Sequence, residues 1–206
     1  MYRFFHIALL GFATLFLNPL TGGHALPQDQ ESWHPVAAIA SIDETQKSNG
    51  PEPTMLLPRN FREWVFLTSG FAMTYDPNAG ATANPQFENV FVNPAAYRAY
   101  LKAGTWPEKK VLVLESRMSD SKLSINKNGR VQTNVASIEV HSKDVARGGW
   151  AFYSFDRGAQ RGALLPYTED CYSCHEQHGA VDTTFVQFYP TLIAIAKRKG
   201  TFKQTP

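Results

Sequence analysis

The sequence predicts a mainly β domain of the α+β class: an antiparallel sheet of about five strands, with short helices, the Cys171–His175 segment and a C-terminal helix packed against it. Two observations predict this. Short runs rich in β-branched and aromatic residues recur along the chain, each bounded by Gly, Asn, Asp or Pro. Apolar residues at helical period follow Asn93-Pro94 and return near the C-terminus. With 43% hydrophobic and 13% aromatic residues, a 206-residue chain can fill one core, and 18% charged residues are too few for a disordered polyelectrolyte.

In chain order, residues 1–25 read as a signal peptide. Arg3 supplies the positive start, Ile7 to Leu17 the apolar stretch, and Gly23 and Ala25 the small residues of a cleavage site near Ala25. A retained anchor would need about 20 apolar residues, more than lie between Arg3 and Asn18. Export is therefore expected, to the periplasm or an equivalent compartment, with no stable membrane insertion after cleavage. Residues 26–54 read as a flexible N-terminal segment rich in polar residues and proline. Residues 55–202 form the expected domain.

From Phe61 to Ser69 aromatic, branched and hydroxyl residues alternate as in a strand, and similar runs follow at Val90–Val92, Val111–Ser116, Val135–His141 and Trp150–Phe155. Asn93 caps a helix with Pro94 at its first position; Tyr97, Tyr100 and Leu101 fall on one face and Gly104 ends it. Asn126 to Gly129 reads as the tight turn between two strands. Asp182 or Thr183 caps a last helix carrying Phe185, Val186, Tyr189, Leu192, Ile193 and Ala196, which Pro190 kinks or divides.

The formal charge is only +2 and the basic residues are scattered, which excludes a nucleic-acid surface. Lys197, Arg198 and Lys199 complement the negative end of the last helix.

Cys171-Tyr172-Ser173-Cys174-His175 is the C-x-x-C-H pattern of c-type haem attachment. Two thiols reach the two vinyl groups on one porphyrin edge, and the next residue turns an imidazole beneath the iron. The rival readings are a disulfide, a thioredoxin-like redox pair and a half-zinc site. The last two lack, respectively, a βαβ context and further ligands at suitable spacing. The reading is one covalently attached haem c, bonded through Cys171 and Cys174, with His175 as the metal ligand to iron. No methionine follows the motif; Met55, Met73 and Met118 lie upstream and read as filler. His141 and His178 read as hydrogen-bonded or solvated imidazoles rather than ligands, which leaves the sixth iron position open.

Several stretches in the same order resemble the cytochrome P-460 family, which includes the cytochromes c-prime-beta. They are Pro58–Trp64, Val90–Pro94 with Tyr97, Lys143-Asp144, Trp150–Tyr153, Cys171–His175 and Phe188–Pro190, spanning about Pro58 to Gly200. The resemblance implies a mainly antiparallel β domain, a homodimer, and a high-spin five-coordinate haem whose open face binds NO, CO or hydroxylamine. In its hydroxylamine-oxidising members a strand lysine is cross-linked to the haem. Aligning Val111–Glu115 with that strand puts Leu114 at the position, and leucine cannot make the bond.

The leading expectation is thus an exported gas-binding haem protein whose ligand is a small diatomic or other nitrogen oxide, chiefly NO. The alternatives are an oxidoreductase acting on hydroxylamine or NO and a simple electron carrier, each with a redox partner protein. Glu115 and Glu139 interrupt apolar strands and are the candidate proton acceptors, against the simpler reading that they face solvent or pair with Arg117 or Lys143.

Overall fold

A computed structural model describes residues 53–75, 78, 80, 83–145 and 149–204. The signal peptide and nearly all of the N-terminal segment expected over 26–54 lie outside these; Thr54, at the end of that segment, already begins a strand.

Among the described residues one antiparallel sheet of seven strands runs in the order β1-β7-β6-β5-β4-β3-β2. The strands are β1 (Thr54–Leu56), β2 (Val65–Phe71), β3 (Gln86–Val92), β4 (Val111–Asp120), β5 (Val131–Asp144), β6 (Gly149–Phe155) and β7 (Arg161–Leu164). The five runs read from the sequence are β2 to β6. The additional β1 and β7 are an edge pair of three and four residues, too short to show an alternating pattern. Phe61–Glu63 is a 3-10 turn rather than the start of a strand, entered through Asn60 at φ 55°. The connection from β4 to β5 is also longer than a tight turn: β4 ends at Asp120 and β5 starts at Val131. Asn126 Nδ2 donates to the carbonyls of Ser121 and Gly129, which closes that loop on itself.

Helix α1 (Pro94–Ala103) follows β3, α2 (Asp170–His178) carries the cysteines, and α3 (Pro190–Lys199) ends the domain. Asn93 sits at the start of α1, but its Oδ1 accepts from the Val111 amide and so ties the helix to β4. Ala96 and Tyr100 are the buried residues of α1; Leu101, expected on the same face, is 39% exposed. The last helix does not start at Asp182 or Thr183. A 3-10 turn occupies Val186–Phe188, and α3 begins at Pro190, whose missing N–H is tolerated at a first position but not inside a helix. Lys197, Arg198 and Lys199 occupy its last turn and Gly200 takes φ 69°.

Register decides what each face of the sheet meets. Val92, Leu112, His141 and Phe152 fall in one row across β3 to β6, and Val90, Leu114, Glu139 and Ser154 in the next row of the same face. This face packs Val92 and Leu112 against Tyr100, Val186, Tyr189, Leu192 and Ala196. The opposite face packs Val113, Val140, Tyr153 and Phe155 against Phe61, with Met55, Leu57 and Trp64 at its margin. Burying each large apolar side chain stabilises the fold by roughly 1.5–3 kcal/mol, and the two clusters hold the sheet from both sides.

Candidate haem site

Helix α2 stands on the face shared by His141 and Phe152. Its attachment is a tyrosine: the Tyr172 hydroxyl donates to the Leu165 carbonyl at 3.1 Å and accepts from the Phe152 amide at 3.2 Å, which fixes the helix to β6. Cys171 and Cys174 are both free and partly buried, three residues apart and so one turn apart on the same side of the helix. Burial raises the pKa of the Cys171 thiol.

His175 points inward among aromatic rings, 4.3 Å from Phe185 and 4.8 Å from both Phe152 and His141. Its Nδ1 is 2.7 Å from the Thr183 carbonyl. A carbonyl only accepts, so Nδ1 carries the proton and Nε2 holds the lone pair. Burial pushes the His175 pKa down to about 4, the Thr183 hydrogen bond opposes this, and the charge of Lys110 adds to it. The imidazole is therefore neutral at neutral pH, the form in which histidine ligates a metal.

The loop that presents Thr183 is strained. Asp182 and Thr183 have φ 47° and 56°, left-handed values that cost roughly 1–2 kcal/mol per non-glycine residue. Three contacts hold the loop there. Asp182 Oδ2 accepts from the Trp106 amide at 2.9 Å, Thr184 Oγ1 accepts from the Trp106 indole at 2.8 Å, and Val181 bridges to Thr184. Gly179 makes the return possible, since a Cβ there would lie 2.5 Å from the His175 carbonyl and 2.7 Å from the Thr184 nitrogen.

The carboxylates separate. Glu115 is on the opposite face, 2% exposed, and accepts hydrogen bonds from Arg62 and Arg117, so it is a structural ion pair and not a proton acceptor at the site. Glu139 lies on the α2 face beside Leu114 and Ser154. Its side chain opens to solvent, yet desolvation by the surrounding protein raises its pKa, and its charge in turn raises that of Glu88 on the same face.

The other histidines and lysines also divide. His178 is exposed at the end of α2. His141 is 6% exposed and, among the described residues, neither nitrogen has a hydrogen bond, so the expectation of a bonded or solvated imidazole fails: it stacks on Phe152, 4.0 Å away, and meets Trp150 at a tilt, 4.2 Å away. Of the lysines near Leu114 in sequence, Lys109 pairs with Asp144 at 2.5 Å, Lys110 is buried against Trp150, and Lys122 is exposed past β4. Met55 packs in the opposite-face cluster.

A haem fits these residues. Two free thiols one turn apart would hold its edge, His175 Nε2 would face its iron, and Val90 and Leu114 would offer an apolar floor. Among the described residues no group of three or more His, Cys, Asp or Glu could hold a bare metal ion instead. Cys171, Cys174 and His175 are the residues that the spacing proposes. Thr183, Gly179 and Tyr172, which position them, have no sequence signature because each acts through a fold contact.

A family model described as cytochrome P460 matches residues 58–186. No curated protein matches the chain.

Proposed function

The chain belongs to the cytochrome P460 family, haem cytochromes, and on that premise we propose that it is an exported mono-haem c-type cytochrome with an open sixth iron position that binds small nitrogen oxides, chiefly NO. The observation that carries this reading is His175: its Nδ1 is held by Thr183, which leaves Nε2 for iron directly beside the thiols of Cys171 and Cys174. Haem held there would supply an iron able to bind a small ligand. Cys171 and Cys174 would form the thioethers, Thr183 would fix the imidazole plane and tautomer, and Val90 and Leu114 would offer an apolar surface suited to neutral diatomics. The export expected from residues 1–25 is consistent with the reading, because haem c is attached outside the cytoplasm.

The second reading, oxidation of hydroxylamine or NO, is favoured by Glu139 on the same face with its raised carboxyl pKa, a proton acceptor in reach of that side. Leu114 counts against it, since no amine stands at the expected cross-link. Against a simple electron carrier, Met55 lies on the far face and both nitrogens of His141 are buried, whereas Met118, paired with Gln86, falls on the face of Val90 and Leu114.

Optical and EPR spectra of the purified protein test the proposal: high-spin ferric haem, ferrous haem that binds NO and CO, and haem retained on denaturing gels but lost from the Cys171→Ser, Cys174→Ser double variant. Intact mass should equal apoprotein plus haem. A low-spin ferrous spectrum, or a haem signal unchanged in the double variant, would refute it.

A further inference from the structure

A buried lysine, Lys110, is joined to His175 through the rings of Trp150 and His141. Lys110 is 0% exposed and, among the described residues, its Nζ has no hydrogen-bond partner. Instead Nζ lies 3.5 Å from the ring centroid of Trp150 and 4.9 Å from that of Trp106, so two indole faces replace part of its lost hydration. An apolar side chain of the same length would fill this space without the desolvation cost, so packing does not account for the amine.

Aromatic contacts lead from this cage to the proposed iron ligand. Trp150 is 4.2 Å from His141, and His141 meets His175 edge-on at 4.8 Å. The charged groups around Lys110 are Lys143, from β5, and Asp182, from the loop after α2. These two face each other at 3.5 Å and largely cancel, which leaves Lys110 as the uncompensated charge of the cage. His141 stays neutral, since burial and the charge of Lys110 both lower its pKa, and the Tyr100 hydroxyl, also unpartnered, stays protonated. Lys110, Trp106 and His141 are all buried, so solvent screens a charge here only weakly. Burial also lowers the pKa of Lys110 itself, with Asp182 opposing and Lys143 adding.

We propose that Lys110 is a positioning residue for charge: a caged cation near His175 that favours the electron-rich ferrous iron and so raises the reduction potential of the haem. The assignment rests on His175 being the iron ligand. It carries a function for the cage, which places the protein's oxidation state, and hence its choice between ferrous and ferric ligands, under the control of one side chain.

Potentiometric titration of the holoprotein at mildly acid pH tests it. Lys110→Met and Lys110→Gln should move the equilibrium toward ferric iron about tenfold or more, a fall of about 59 mV for one electron. Lys110→Arg should stay close to the unmodified protein, and so should Lys109→Met, which removes an exposed lysine paired with Asp144. If the Met variant does not fold, Arg against Gln makes the same comparison. A changed melting temperature with an unchanged potential overturns the assignment and leaves Lys110 a structural residue. Haem absent from the unmodified protein defeats the functional reading itself, which separates the two failures.

Discussion

Glu115 and Glu139 sit on adjacent strands, yet they have opposite chemistry because they face opposite ways. Burial alone would raise the carboxyl of Glu115, but hydrogen bonds from Arg117 and Arg62, together with their charges, hold it below its ordinary range. A depressed carboxyl pKa contributes stability that is present above the unfolded value, about 4.3, and is lost as pH falls through the folded value. Arg117→Met should therefore destabilise the protein by about 1–3 kcal/mol at neutral pH, and the deficit should shrink below about pH 4, as read by denaturant unfolding across pH. Glu139 has the reverse sign: its raised pKa means the folded state binds its proton more tightly, so this stabilising term exists at low pH and fades as pH rises through the folded value. Glu139→Gln should raise the melting temperature at neutral pH, with little effect in acid, while haem stays attached. A uniform shift at every pH would count against a titrating carboxyl.

At the scale of elements, α2 depends on the segment after it more than on its own packing, since no residue of the helix is fully buried. Gln187 closes its end, accepting from the Ala180 amide and donating to the His178 carbonyl. Gly179 lets the chain return close enough for Thr183 to reach His175. Gly179→Ala puts a methyl group against backbone on both sides, and neither side can rotate away. The expected cost is about 1–3 kcal/mol, with a weakened iron–histidine stretch in the resonance Raman spectrum of ferrous protein. Gly80, with nothing within 4 Å of an added Cβ, is the control and should change neither reading.

At the scale of the described domain, the sheet separates two surfaces: one carries α1, α2, α3 and the candidate haem site, and the other exposes Phe66 at 52% and Phe71 at 44% beside Phe91 and Phe87. A homodimer, as the family resemblance implies, is expected to cover that second surface. Phe66→Ser with Phe71→Ser should give a monomer by sedimentation with the haem spectrum unchanged; a dimer that survives both would place the interface elsewhere. Among the described residues no helix is long and apolar enough to cross a membrane. The sequence by itself determined what is local: the strands β2 to β6, α1 between Asn93 and Gly104, and the division at Pro190, each written in periodicity or turn residues; the spacing of Cys171, Cys174 and His175 marks the candidate haem set in the same local way. Only the tertiary structure decided what is not local. Whether Glu115 or Glu139 meets the site follows from register, where one residue's slip exchanges the two faces. That Thr183, eight residues past His175, orients its ring depends on a strained loop held from Trp106, and that Lys110 lies between Trp106 and Trp150 depends on β4, β5 and β6 lying side by side. Such contacts join residues distant in the chain, and no spacing in the sequence records them.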